Sequence, residues 1–215
     1  MDMFYYRRRG MIAATAAALL CAGVPGAATP ARAADDAAAI APIRQLIGGL
    51  EQVMKAGMGA PFSQRYAMLA PIIDRTFDLT AILRESVGPT WASLPASQQA
   101  MLTEAFRRYT VATYVNGFDS SDGTRFEVSP HTRAVGNQQV VQTKIIPRSG
   151  DSHELDYVMR DEGSGWKAVD VLADGSISRV AVQRSDFRRL LAQGGADALV
   201  ASLRSKSADL SDGQS

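Results

Sequence analysis

Two histidines, one cysteine and a close pair of aspartates are the residues of this 215-residue chain best suited to acid–base or covalent chemistry. Asp170 and Asp174 lie four apart and could act as paired carboxylates, one giving a proton and one taking it. Asp174-Gly175 reads first as a turn, however, and Asp170 as a partner for a backbone N–H or an arginine. His131 stands beside Pro130 in a turn-like stretch, and His153 opens a strand next to Glu154, so both are expected near the surface. Cys21 is the single thiol and falls within an apolar N-terminal run. There is no G-x-S-x-G, H-E-x-x-H, phosphate-binding loop or C-x-x-C. Gly57-Met58-Gly59 lacks the third glycine and the preceding strand of a dinucleotide site. The residues therefore indicate no enzyme, no cofactor and no metal site.

The N-terminal segment bears on compartment. Arg7, Arg8 and Arg9 precede an apolar run from Met11 to Val24, which is short of the roughly twenty residues that span a bilayer. Ala31-Arg32-Ala33 fits a small-residue cleavage site, so residues 1–33 read as a signal peptide and the mature chain starts at Ala34. Cys21 then belongs to the discarded segment, and export to the periplasm is expected. Of 23 Lys and Arg, four fall within 1–33, and of 22 Asp and Glu one does; the remainder holds 19 against 21, a net charge near −2. Without a basic run, nucleic-acid binding by phosphate neutralisation is disfavoured. With no cysteine left, stability rests on the core, for which about 180 residues suffice.

The elements that would position any site are helices, then strands, then helices. Ile40, Ile43, Ile47, Leu50 and Met54 step by threes and fours, predicting a helix over 36–55. Further helices are expected at 62–76, 79–87 and 96–118, with breaks at Pro61, Gly88-Pro89 and Pro95. The longest has apolar faces too wide to cover one sheet alone: Phe106 and Tyr109 on one stripe, Val111 and Val115 on the next. After Asp122-Gly123 the period becomes two. Phe126 and Val128 mark a short strand, Val140 to Ile146 and Glu154 to Arg160 two more, and Gly163-Ser164-Gly165 turns into Trp166 to Leu172. Tight turns make such strands antiparallel. Two short helices, 180–193 and 196–206, flank Gly194-Gly195, and a polar flexible tail is expected over 207–215. The fold class is α+β: an antiparallel sheet of four or five strands packed against helices, in one domain over 34–206.

Several short motifs recur here in a telling order: Gly88-Pro89-Thr90-Trp91 with Ser97-Gln98-Gln99, Phe106-Arg107-Arg108-Tyr109-Thr110, Phe118-Asp119, Tyr157-Val158-Met159, Trp166-Lys167, Val169-Asp170-Val171, Asp174-Gly175-Ser176, Arg184-Ser185-Asp186-Phe187 and Gly195-Ala196-Asp197-Ala198-Leu199. Taken together, over about 77–206, the chain resembles the MlaC-type periplasmic lipid-binding family, also called toluene-tolerance auxiliary proteins. Leu172-Ala173-Asp174-Gly175-Ser176-Ile177-Ser178 and the stretch from Phe118 to Phe126 resemble its hopanoid-biosynthesis-associated branch.

The resemblance implies a cone-like fold around a deep apolar pocket that shelters lipid tails. It implies a shuttle for phospholipid or hopanoid-type lipid, exchanging cargo between an inner-membrane lipid transporter complex and an outer-membrane lipid partner, with transient contact to membrane surfaces. Alternation places Leu155, Tyr157 and Met159 on one sheet face, and Val169 and Val171 can join it from the neighbouring strand. Phe106 and Tyr109 can meet that face from the long helix. These seven are the expected pocket lining. The same pattern also describes an ordinary core. Trp91 is expected to plug the end of the cone, and Arg107 and Arg108 to form a solvated helix face. Two other functions use the same elements: an accessory subunit of an envelope lipid-transport complex, docking through Arg184, Asp186, Arg188 and Arg189, or a cone-fold isomerase of hopanoid metabolism.

Overall fold

A computed structural model describes residues 30–120 and 123–212. The arginines and apolar run read as a leader lie in 1–29, outside the described residues. Helix α1 spans Pro30–Ala56, beginning before the expected start and running through Ala33-Ala34. Its stripe of Ile40, Ile43, Leu46, Leu50 and Val53 is buried, and Gly57 ends it at a positive φ of 62°. α2 is Phe62–Thr76, α3 is Leu79–Val87 and α4 is Ala96–Gly117, close to the boundaries expected from periodicity. Asp78 caps α3 by accepting the Ala81 N–H at 2.9 Å.

Between α3 and α4 the chain makes a 3-10 turn over Gly88–Ser93, which the sequence reading did not anticipate. It carries Trp91, which packs partly buried against the core and is not among the residues lining the cleft described below. The Trp91 and Leu94 carbonyls both accept from the Gln99 amide, at 3.0 and 3.1 Å, which fixes the turn to the start of α4.

Five strands follow in simple sequential order: β1 Arg125–Val135, β2 Gln138–Ile146, β3 His153–Asp161, β4 Trp166–Ala173 and β5 Ile177–Ser178. All neighbours pair antiparallel, as tight turns demand. β1 is longer than expected. It continues through Pro130 and His131, which occupy a register irregularity between Val128 and Thr132 on this edge strand rather than a turn. Thr132, just past the irregularity, donates its hydroxyl to Asp36 of α1. β5 is only two residues long, and nothing in the alternation marked it.

The last helix, α5, covers Arg179–Asp212 with a break at Gly194 and Gly195. Gly195 takes φ 64°, ψ −157°, a region essentially reserved for glycine. The helix also corrects the expected flexible tail. It continues six residues past Lys206 because Ser207 is buried and its hydroxyl donates to the Leu203 carbonyl at 2.7 Å. The second half of α5 lays Leu199, Val200 and Leu203 into the core beside α4.

Helices gather on one side of the sheet. Phe77, at the junction of α2 and α3, makes a single parallel bridge to Ala168, and the Asp78 N–H donates to the Ala168 carbonyl at 3.0 Å. That bridge pins α3 over β4. Arg107 is not solvated on an open face, as expected; it crosses to α2 and grips Asp74.

Candidate functional site

The register of β3 against β4 decides which side chains face the helices. Leu155 pairs with Ala173, Tyr157 with Val171, and Met159 with Ala168. Between the last two rungs β4 carries one extra residue, a β-bulge at Val169. A bulge shifts the alternation by one, so Ala168 rather than Val169 is buried beside Met159. Strict alternation had placed Val169 with Val171. The bulge separates them, and Val169 lines no part of the cleft.

Above this sheet face a cleft opens between β3–β4 and helices α3, α4 and the start of α5. Phe106 and Tyr109 line it from α4, Leu155 from β3 and Val171 from β4, four of the seven expected residues. Leu79, Ile82 and Val180 close it from α3 and α5. Tyr157 and Met159 share the sheet face but lie beneath the cleft as core, 2% and 0% exposed. Tyr157 is reached through Phe77, whose ring centroid is 6.2 Å away, and Phe77 does line the cleft. Phe106 meets Phe187 of α5 edge to face at 6.2 Å, tying two walls together.

The atom-free space between the walls, counted out to the mouth, is about 740 Å³. The cavity proper is only about 70 Å³, so the cleft is narrow and its walls stand close. A second recess, between α4 and α5, encloses a comparable atom-free space of about 650 Å³, but Glu104, Arg108 and Arg204 make its border charged.

Polar groups in the cleft are few and mostly engaged. Thr110 and Thr113 donate their hydroxyls to the Phe106 and Tyr109 carbonyls one turn back, at 2.9 and 2.7 Å. Asp170 accepts from the Val171 and Val180 N–H groups at 2.7 and 3.1 Å and from the Ser178 hydroxyl, so it anchors the start of α5. Asp174 is no partner to it; it sits in the following turn at φ 50°. Tyr114 hydrogen-bonds Tyr157, and burial pushes both phenols upward, Tyr157 to about 12. Both therefore stay neutral at physiological pH. His131 lies far out on β1, its side chain 73% exposed, and His153 is exposed at the start of β3. Among the described residues no three His, Cys, Asp or Glu converge as a metal site, and no helix is long and apolar enough to cross a membrane.

Phe77, Tyr114, Arg179 and Val180 were missed from sequence. Phe77 reads from sequence as part of the short third segment with Leu79, Ile82 and Leu83, and nothing local shows that it bridges to Ala168 of the sheet. Val180, Gln183 and Phe187 do carry a helical step of three and four, a signal that was there to be read.

No curated protein matches the chain. Among solved structures, the phospholipid-binding protein from Ralstonia solanacearum, determined in complex with a phospholipid, superposes with a TM-score of 0.69. The alignment covers 80% of this chain and 98% of that one at 20% identity, which establishes a shared fold. The family described as MlaC protein matches residues 45–205, three quarters of the sequence and the whole of the cleft, and this chain belongs to it.

Proposed function

We propose that this protein is a periplasmic lipid carrier that holds phospholipid or hopanoid-type lipid in the cleft between its sheet and helices α3, α4 and α5. The observation that carries the reading is the cleft itself: an apolar slot of aromatic and aliphatic side chains whose one carboxylate, Asp170, is held by the Ser178 hydroxyl and backbone N–H groups. Membership of the MlaC family and the phospholipid bound to the Ralstonia protein support it. Each methylene taken from water is worth about 0.8 kcal/mol, so a fourteen-carbon tail brings roughly 11 kcal/mol before ordering costs. One tail is enough to retain a lipid, and two make unaided release slow. A shuttle of this kind needs partners that open it: an inner-membrane lipid transporter complex on one side and an outer-membrane lipid acceptor on the other.

The narrowness of the cleft favours one second reading, an accessory subunit with a closed core that carries nothing. Organic extraction of protein purified from the periplasm, followed by mass spectrometry, separates the two. A stoichiometric lipid supports carriage. Protein that is lipid-free from every preparation and takes none from vesicles rejects it and supports the accessory role. For the direction and purpose of carriage, deletion of the gene should lower the outer-membrane share of the cargo and leave its synthesis unchanged. A fall in total hopanoid would instead favour an enzyme of its metabolism.

A further inference from the structure

We infer that Arg179 is the specificity residue of the cleft, recognising the phosphate diester of an acyl lipid's head group; the inference rests on the carrier reading above. The polar inventory of the walls leads to it. Thr110 and Thr113 spend their hydroxyl protons on carbonyls of their own helix. Gln183 accepts the Ser86 hydroxyl at 3.2 Å through its amide oxygen. Asp170, the one carboxylate, is taken up by three neutral donors, the Ser178 hydroxyl and the Val171 and Val180 N–H groups. Arg179 remains. It lines the cleft, is partly buried, and enters no salt bridge among the described residues.

A guanidinium that forms no salt bridge among the described residues, beside an apolar slot, gains a full partner once an anion arrives. Its donors form a planar fork that matches two phosphate oxygens, which a neutral head group cannot replace. The apolar walls set affinity for tails in general, and Arg179 sets which head group those tails carry. A neutral polycyclic or diacyl lipid fits the walls equally but leaves the cation unpaired. The structure thereby favours phospholipid over uncharged triterpenoid as cargo.

The test loads delipidated mature protein from vesicles containing phosphatidylglycerol, phosphatidylcholine and diacylglycerol with the same acyl chains, and counts bound lipids by mass spectrometry. Wild type should take both phospholipids over diacylglycerol. Arg179→Gln should lower the phospholipid-to-diacylglycerol ratio about tenfold, within the range of a charge-assisted hydrogen bond, and Arg179→Lys, which keeps the charge but not the fork, should keep only part of it. Should the Gln variant fail to fold, the wild-type ratio provides the same reading, because it must fall as ionic strength rises if a partly exposed charge sets it. An Arg179→Gln protein of normal melting temperature and unchanged ratio overturns the inference and leaves carriage standing. Loss of phospholipid uptake in excess inorganic phosphate, but not in sodium chloride of equal ionic strength, would reassign the arginine to free phosphate and overturn it too. Uptake of none of the three lipids by wild type would reject acyl lipids as cargo and overturn the inference, with carriage of a hopanoid-type lipid then decided by the extraction experiment above.

Discussion

Arg107 of α4 holds Asp74 of α2 through two parallel hydrogen bonds, Nε to Oδ1 at 2.8 Å and Nη2 to Oδ2 at 2.6 Å. The geometry is the bidentate fork that makes arginine–carboxylate pairs specific. The Asp74 backbone carbonyl also accepts from the Lys167 ammonium at 3.2 Å, so one residue of α2 ties together α4 and the sheet. Each side chain keeps about a third of its surface in water, 33% and 38%, and solvent screens much of the attraction. Arg107→Ala is expected to cost about 1 kcal/mol or less in urea unfolding, and Arg107→Lys to recover only part of it. A double-mutant cycle with Asp74→Asn checks the coupling. Additive effects would mean that the pair contributes nothing beyond its separate side chains.

Gly195 should tolerate no side chain. Its backbone at φ 64°, ψ −157° is strained for any L-residue, although a Cβ there would meet nothing within 4 Å. Gly195→Ala therefore isolates backbone strain from packing, and about 1–3 kcal/mol of stability should be lost. The break it makes lets the first half of α5 wall the cleft with Val180 while the second half packs Leu199 and Leu203 against the core. A melting temperature equal to wild type would show that the chain can straighten here without penalty.

Local signals made most of this fold legible. Helices α2, α3 and α4 announced themselves through apolar steps of three and four between prolines and glycines, and β2, β3 and β4 through alternation between turns. What escaped depends on pairing across distance. The bulge at Val169 exists only in register with Met159, and no property of Val169 itself distinguishes it from Val171. Ser207 looked like the start of a polar tail because its burial comes from the packing around it. Pro130 and His131 looked like a turn because the sequence does not show Asp36 waiting on α1 to receive Thr132. In the cleft, Phe106, Tyr109, Leu155 and Val171 were readable from their faces, and Arg179 was not, since charge at a helix start ordinarily means solvent.

Asp156 carries the clearest pH dependence. It is 3% exposed on β3, and burial, reinforced by the charge of Glu154, raises its carboxyl above the ordinary 3.8. A carboxyl whose folded value is raised contributes most stability while protonated in both states. That contribution is present below the ordinary value and is lost as pH rises through the raised one. Asp156→Asn should therefore stabilise the protein at neutral pH, with the advantage vanishing in acid below about 3.8. Chemical denaturation at a series of pH values measures this. A variant that is less stable than wild type at neutral pH would show that the bonds from Thr143 and Gln142 outweigh the burial.

The bulge supplies a controlled test of where cargo lies. Val171 lines the cleft and Val169, two residues away on the same strand, does not. Val171→Phe adds volume where the walls already stand close, and overpacking of this kind costs about 1–3 kcal/mol. The added ring takes space that a lipid tail needs, so co-purified lipid should fall several-fold by extraction and mass spectrometry. Val169→Phe places the same ring outside the cleft and should leave the lipid content near that of wild type. Tyr157→Glu complements the pair from below. A carboxylate at this 2% exposed position, next to Phe77 and Tyr114, is costly to desolvate, and the protein should lose lipid, stability or both. Equal lipid content in Val171→Phe and Val169→Phe, both folded, would place the cargo elsewhere than between Phe106 and Val171.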